Sequence, residues 1–250
     1  MSVATRAKQN YLLAALPPGD FERLLPYLEE AKMDLGQVLY ESGEQLKYLY
    51  FPTTLIASLL FVTENGSSTE LAVAGREGAI GVALFMGGNS TNSRAIVQSA
   101  GTALALPAAH LEEEFERGGA LQWILLRYTQ ALITQMAQTA VCNRHHTLDQ
   151  QLCRWLLISI DRLSSNTLRM TQQLIADMLG VRREGVTEAA GKLQFNGAIT
   201  YSRGEITVIN RRLLEERVCE CYGVVNKEYN RLLDDVQIPR QREMRRGKSP

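Results

Sequence analysis

Few cysteines and no long apolar run limit what this 250-residue chain can be. The cysteines are only four and unevenly spaced, which excludes the disulfide scaffold of a small extracellular domain. No apolar stretch approaches the roughly 20 residues that cross a bilayer. The first ten residues are polar and lack the apolar segment of a signal peptide. We therefore expect a cytoplasmic protein with no membrane partner.

The chain also lacks the motifs that enzymes and metalloproteins commonly carry. It has no phosphate-binding glycine loop and no evident pair of nucleophile and base, so we expect no catalytic activity. Cys142 lies near His145 and His146, which could make a metal or redox site, but no spacing compels one. Because Cys153 and the Cys219-x-Cys221 pair fall in different predicted elements, a four-thiolate iron–sulfur cluster is not expected. We predict no metal and no cofactor.

Net charge is zero over the whole chain but not within its parts. Residues 1–149 carry 10 Lys/Arg and 15 Asp/Glu, a net charge of −5. Residues 150–217 carry 10 against 7, giving +3, and residues 218–250 carry 7 against 5, giving +2. A positive C-terminal half is the electrostatic pattern expected of a nucleic-acid-binding part.

The N-terminal half changes from helical to strand-like patterning. Residues 20–30 form a short amphipathic pattern after a Pro-Pro-Gly break and predict a helix. Residues 36–106 follow as short β-rich runs separated by turn residues, which predicts a sandwich or jelly roll. The Glu-Asn-Gly step between Val62 and Thr69 is typical of a hairpin turn.

A long helix is predicted from Ala120 to Val141, where neither glycine nor proline occurs. A shorter acidic helix precedes it at residues 110–116, and another helix follows at residues 148–163. Apolar residues recur on the long helix at spacings of three and four, chiefly Leu121, Leu125, Tyr128, Leu132 and Met136. This stripe fits either the core of its own domain or a two-fold dimer contact. We favour the dimer contact, because only a small sheet domain is available to cover it.

The most informative segment runs from Thr171 to Asn210. Thr171 is a suitable N-cap for a first helix at residues 172–179, and Gly180 supplies a tight turn. A second helix then places Val186 and three further apolar residues on one face. A polar-tipped hairpin follows. The pattern predicts a winged helix-turn-helix, whose second helix enters the major groove of double-stranded DNA.

The outer face of that second helix offers groups that recognise bases. We predict base contacts for Arg183, Glu184, Thr187 and Glu188, because Arg can bind guanine with two hydrogen bonds and Glu can accept from cytosine. Predicted phosphate contacts are Thr171, Arg182, Lys192 and Arg203, the last at the tip of the wing. The alternative is that Arg183 and Glu184 are simply solvated charges.

With these residues the chain resembles the Crp/Fnr family of bacterial transcription regulators. That family carries Arg-Glu-x-Val-x-Arg on its recognition helix, and here Arg183, Glu184 and Val186 match. Glu188 replaces the final arginine, and Arg182 replaces the usual serine cap. The resemblance therefore implies a DNA target that differs from those of the best-known relatives, most of all at the base read by that arginine.

The resemblance implies an α+β fold with a fixed order of parts. Residues 1–118 would form an N-terminal β-roll (jelly-roll) effector domain related to cyclic-nucleotide-binding domains, and residues 119–145 a dimerisation helix. Residues 146–222 would form the winged helix-turn-helix domain. Residues 223–250 would form a C-terminal helix and a basic tail without regular structure after Ile238.

The residues of the family's nucleotide pocket are only partly present. Relatives use a Gly-Glu step to hold the ribose and an Arg-Ser-Ala step to hold the cyclic phosphate. Here Val82 occupies the Glu position, and Arg94 is followed by Ala95 rather than serine. A ribose hydroxyl left unpaired against Val82 would cost about 1–3 kcal/mol. We therefore expect no cyclic nucleotide in the usual mode, and interpret Arg94 as a structural partner of a carboxylate before an anion ligand.

These observations favour a homodimeric transcription regulator that binds an imperfect DNA palindrome sequence-specifically. Its effector is unknown. RNA polymerase is left open as a further partner. The alternative is a small-molecule-binding regulatory module that uses its helix-turn-helix chiefly for protein–protein contacts.

Overall fold

The computed structural model describes residues 2–163 and 165–234 and begins with three short helices. These are α1 (Val3–Ala7), α2 (Tyr11–Ala14) and α3 (Pro18–Leu24). The helix expected at residues 20–30 is shorter than predicted, because α3 ends at Leu24 and a single 3₁₀ turn covers Leu25–Tyr27. Pro26 lies inside that turn and cannot donate the backbone hydrogen bond that an α-helix would need there.

Two antiparallel sheets form the N-terminal domain and confirm the predicted jelly roll. Their strands are β1 (Glu29–Met33), β2 (Val38–Tyr40), β3 (Tyr48–Pro52), β4 (Ile56–Val62), β5 (Ser68–Ala74), β6 (Arg94–Ser99) and β7 (Gly101–Pro107). One sheet has the order β1-β7-β3 and the other β2-β6-β4-β5. The predicted hairpin is β4–β5, where Gly66 adopts a φ of 82°. Between the two sheets lies an apolar core that includes the fully buried Leu49, Phe51 and Leu106.

A long helix leaves this domain at the predicted place. After α4 (Ala108–Glu116), Gly118 turns the chain with a φ of 74°, and α5 runs over Ala120–His145. Although α5 has 26 residues, neither it nor any other described helix is apolar and long enough to cross a membrane.

The structure corrects the prediction that this apolar stripe of α5 forms the dimer contact. Leu121, Leu125, Tyr128 and Leu132 are at most 1% exposed within their own chain, and Met136 is half-buried. Tyr128 also donates a hydrogen bond to the Ala79 carbonyl at 2.9 Å. These side chains face the jelly roll and its neighbours because that domain, though small, supplies enough apolar surface to cover one face of α5.

The remaining elements form a winged helix-turn-helix domain and one additional helix. They are α6 (Leu148–Arg162), β8 (Thr167–Arg169), α7 (Gln172–Leu179), α8 (Arg183–Phe195), β9 (Ile199–Ser202), β10 (Glu205–Val208), α9 (Arg211–Glu215) and α10 (Glu220–Leu232). The three strands pair in the order β8-β10-β9. Helix α10 packs along α5 and returns the chain to the N-terminal domain. The basic tail predicted after Ile238 lies outside the described residues.

The two domains share a buried boundary. Ile56 of β4 and Val73 of β5 belong to the same apolar core as helices α6 to α8. Helix α7 packs on β5, and a Cβ added to Gly180 would lie 2.8 Å from the hydroxyl oxygen of Thr69. Gln98 of β6 donates to Ser159 of α6 at 3.1 Å. The DNA-binding domain is therefore packed directly against the jelly roll.

A buried carboxyl at this boundary gives a pH-dependent prediction. Burial raises the pKa of Glu70 from its ordinary 4.5 to about 7, although the nearby Arg154 guanidinium opposes the shift. The unfolded chain therefore loses this proton first, and the free energy of unfolding should fall as the pH rises from 4.5 to about 7. The variant Glu70→Gln cannot ionise and should melt at a higher temperature than the wild type above pH 7, but not below pH 4.5.

Thermal melting of both proteins across this pH range tests the prediction, with Glu64→Gln, at an exposed turn position, as the control. An identical pH profile for wild type and Glu70→Gln would refute it.

Candidate nucleic-acid interface

The helix-turn-helix forms for local reasons that the sequence already displays. The Thr171 hydroxyl accepts a hydrogen bond from the Leu174 N–H at 3.2 Å and so caps α7, as predicted. Gly180 ends α7 with a φ of 65°, which glycine adopts without strain. The inward face of α8 is almost fully buried and consists of the predicted Val186, Ala189, Ala190 and Leu193.

The N-terminus of α8 presents exposed charges to solvent. Arg182 is its N-cap residue, and Arg183 and Glu184 form the first turn, all three exposed. Among the described residues, neither Arg182 nor Arg183 has an ion-pair partner. Both guanidinium groups are therefore available to an external anion or base edge.

The predicted phosphate contacts Thr171 and Arg203 lie beside Arg183. All three line one surface depression, together with Gln172, Gln173 and residues 201–204 of the wing. A second depression, lined partly by Thr187, Gly191 and Phe195, shares Gln172 and Tyr201 with the first. The structure thus brings the start of α7, the start of α8 and the wing onto one continuous surface.

The wing tip is held by its turn geometry. Arg203 and Gly204 connect β9 to β10 and have φ values of 50° and 77°, the pattern of a two-residue type I′ hairpin turn. Arg203 is exposed, and no described residue forms an ion pair with it. Its side chain therefore extends into solvent at the edge of the surface.

The other predicted DNA contacts are already engaged within the chain. The Thr187 hydroxyl lies 2.8 Å from Oε1 of Gln172 and 3.0 Å from the Arg183 carbonyl, so it links α8 to α7. The Lys192 ammonium lies 2.9 Å from the Glu188 carboxylate and 3.4 Å from Asp149. The hydrogen bond from Lys192 lowers the pKa of Glu188, and the same bond raises the pKa of Lys192.

The residues of the predicted effector pocket are not arranged as a phosphate cradle. Arg94 forms an ion pair with Glu41 at 3.1 Å, which confirms that it pairs with a carboxylate of the fold. Ala95 is fully buried in β6, and Val82 begins a 3₁₀ turn over Val82–Leu84. The side chain of Val82 offers no hydrogen-bonding atom to a ribose.

One feature was not found from the sequence, and a second was found only in part. The first is an exposed apolar stripe on α5, opposite the buried one, made of Trp123, Leu126, Ile133 and Val141. Their spacing of three, seven and eight residues places them on one helix face and could have been recognised.

The second feature is a cluster that joins Cys142 and His146 to Cys219 and Cys221. Cys142 and His146 are four residues apart at the end of α5, a spacing that places both on one side of a helix. The Cys-x-Cys step begins α10. His145, which the sequence also suggested, is exposed and is not a member of the cluster, and neither is Cys153.

A jelly roll joined by a long helix to a winged helix-turn-helix, with exposed arginines at the start of its second helix, defines a two-domain regulator. Two family models agree with this architecture. One describes a Crp-like helix-turn-helix domain and matches residues 150–217, and the other describes a cyclic nucleotide-binding domain and matches residues 31–117. No curated protein sequence matches the chain.

Solved structures show the same fold. A Crp/Fnr-family regulator from Eubacterium rectale gives a TM-score of 0.65 at 16% identity and covers 83% of this chain and 98% of its own. FixK2 from Bradyrhizobium japonicum gives 0.64 at 16% identity and covers 77% and 98%. The c-di-GMP-responsive global regulator CLP of Xanthomonas campestris gives 0.61 at 14% identity and covers 77% and 99%. The chain belongs to the Crp/Fnr family of transcription regulators.

Proposed function

We propose that this protein is a homodimer that binds an imperfect palindrome in double-stranded DNA and regulates transcription there. The observation that carries the proposal is the surface lined by Thr171, Arg183 and Arg203, in which both arginines lack an ion-pair partner among the described residues. The exposed Glu184 follows Arg183 in the first turn of α8. Unpaired guanidinium groups on an exposed helix start and wing tip would gain contacts with DNA without first breaking internal ones.

Within this surface the residues divide into two groups. Arg183 and Glu184 occupy the first turn of α8, the part of a recognition helix that reaches base edges. Glu188 and Lys192 neutralise each other, so either must leave its partner before it can contact DNA. Sequence preference should therefore depend chiefly on Arg183 and Glu184, with Arg182 and Arg203 contributing contacts to phosphates.

A selection from random DNA with the full-length protein tests the proposal. We expect enrichment of a palindrome whose half-sites are about one helical turn, roughly 34 Å, apart. Footprinting should show two symmetric protected segments, and the affinity should fall steeply with salt. Failure to enrich any motif would instead favour a regulatory module that acts through protein–protein contacts, and protection of one asymmetric site by a monomer would exclude the dimeric mode.

The second copy of the chain is proposed to contact the exposed stripe of α5. Trp123 is 64% exposed and Ile133 56%, which is unusual for large apolar side chains on a helix. Two such stripes packed about a two-fold axis would bury them and place two recognition helices on the same face of DNA.

The variant Ile133→Glu should convert the dimer to a monomer. Two unpaired carboxylates would be buried across the axis, which should raise the dimer dissociation constant by at least roughly 100-fold. Analytical ultracentrifugation measures this constant. Phe61→Glu makes the same change at a jelly-roll residue that is 46% exposed, and it should leave the dimer intact. The assignment would be contradicted if both variants weakened the dimer equally, or if neither variant weakened it.

We further propose that cyclic nucleotide does not control this protein in the family's usual manner. Support comes from the ion pair of Arg94 with Glu41 and from the apolar Val82. Calorimetric titration with cyclic AMP and cyclic GMP should show no binding, and the Glu41→Gln variant, which frees Arg94, should not restore it. Saturable binding by the wild type would refute this part of the proposal.

A further inference from the structure

Three thiols and one imidazole meet where the long helix ends. Cys142 and His146 lie at the C-terminal end of α5, while Cys219 occupies the N-cap position of α10 and Cys221 lies in its first turn. The ligand atoms of all four residues lie within 4.8 Å of one another. The Cys142 and Cys219 sulfur atoms are 3.5 Å apart, and Nδ1 of His146 is 3.6 Å from the Cys221 sulfur.

The two shorter separations, 3.5 Å between sulfur atoms and 3.6 Å between sulfur and nitrogen, are close to those of a tetrahedral zinc site. With Zn–S bonds near 2.3 Å and Zn–N bonds near 2.0–2.1 Å, tetrahedral angles put two sulfur ligands about 3.8 Å apart and a sulfur and a nitrogen about 3.6 Å apart. Three thiolates and one imidazole are a common ligand set of structural zinc, and the soft sulfur donors disfavour magnesium and calcium.

The imidazole is oriented by a partner outside the cluster. Nε2 of His146 lies 3.2 Å from a carboxylate oxygen of Glu220, and Nδ1 faces the sulfur atoms. A carboxylate that accepts the second N–H of a ligating histidine is the usual outer partner in such sites. The Gln151 amide donates to the carbonyls of His146 at 2.9 Å and Cys142 at 3.4 Å, which fixes the end of α5.

The surroundings also suit the net negative charge of three thiolates around one divalent cation. Cys142, Cys219 and Cys221 are at most 4% exposed. Arg154 is equally buried, and its Nε has no hydrogen-bond partner among the described residues. A buried guanidinium with a free N–H beside the cluster could donate to a thiolate and offset its charge.

We propose that Cys142, His146, Cys219 and Cys221 bind one Zn²⁺ ion per chain. Three Zn–S bonds and one Zn–N bond form, and three thiol protons pass to solvent. Since the protein supplies all four ligands, the site is structural rather than catalytic. It fastens the end of α5, where the chain turns into the DNA-binding domain, to the start of α10.

Metal binding can be tested without DNA, so its failure and the failure of DNA binding are separate results. The full-length protein, reduced and freed of metal with a chelator, should take up one zinc ion per chain. Zinc should raise its melting temperature. Cobalt should give the intense visible absorption of tetrahedral thiolate coordination. Cys221→Ser and His146→Asn should each lose high-affinity binding.

The chain offers a matched control for each change. Cys153→Ser alters a buried cysteine outside the cluster, and His145→Asn alters the exposed neighbour of His146, and neither should affect zinc uptake. Glu220→Gln should weaken zinc binding about 10- to 100-fold by removing the partner of the imidazole.

Two results would overturn the proposal. One is the absence of zinc binding, or unspecific binding in which the control variants lower uptake as much as Cys221→Ser and His146→Asn do. The other is a reduced protein that takes up no metal and that, after mild oxidation in a separate sample, forms a Cys142–Cys219 disulfide detected by mass spectrometry.

Discussion

Replacing Arg162 with alanine should lower the free energy of unfolding by about 3–5 kcal/mol, the usual cost of removing one partner from a buried ion pair. Nε of Arg162 lies 2.6 Å from a carboxylate oxygen of Glu77, and both side chains are at most 8% exposed. The variant would leave the Glu77 carboxylate at the boundary between the domains without its cation.

Arg162 also connects elements that the sequence keeps far apart. Its Nη2 donates to Oε1 of Gln135 on α5 at 2.8 Å, and its guanidinium lies over the Tyr229 ring of α10. Burial opposes the charged form, but Glu77 and the other neighbours outweigh it and raise the pKa of Arg162 above its ordinary value. The charge therefore persists, and several contacts would be lost together.

Urea denaturation of the wild type and Arg162→Ala measures the effect. The control is Arg169→Ala, which breaks an ion pair with Glu205 of similar length, 2.8 Å, but with both partners well exposed. The Arg169→Ala change should lower the free energy of unfolding by no more than about 1 kcal/mol. Equal destabilisation by the two variants would contradict the role given to burial.

Replacing Arg183 with alanine should weaken binding to the selected DNA by about 1–3 kcal/mol, or roughly 5- to 150-fold. The loss should be specific, because Arg183 is proposed to bind a base edge. Binding to DNA altered at that base pair should change little, so the variant should lose its preference at one position of each half-site.

A phosphate contact should behave differently, which provides the comparison for Arg183. Arg203→Asn retains a residue that tolerates the left-handed turn conformation and removes the wing-tip charge. It should weaken binding to all sequences alike. It should also reduce the slope of the logarithm of the binding constant against the logarithm of the salt concentration by about one. Competition titrations on a panel of single-base variants at several salt concentrations measure both effects. Uniform weakening by Arg183→Ala would assign it to phosphate instead.

Local features of the sequence predicted local structure well. The Thr171 cap, the Gly180 turn and the uninterrupted run of α5 depend on neighbours within a few residues, and all three were confirmed. The pairing of Glu188 with Lys192 is also local, four residues along a helix, and could have been predicted from spacing alone.

Long-range pairings were inaccessible because no periodicity encodes them. Cys142 and Cys219 are separated by 77 residues, and Arg162 and Glu77 by 85. The assignment of the apolar stripe on α5 was wrong for a related reason. The helix has two apolar faces, and spacing alone does not say which one its own domain covers.

The core shared by Ile56, Val73 and the helices of the DNA-binding domain has a practical consequence. A fragment cut at residue 146 would carry bare apolar surface where those two side chains now lie, and its Arg162 would lack Glu77. Such a fragment should aggregate rather than serve as a minimal DNA-binding reagent. Heat or denaturant should likewise melt both domains in a single step, because neither domain keeps a complete interior after the other is lost.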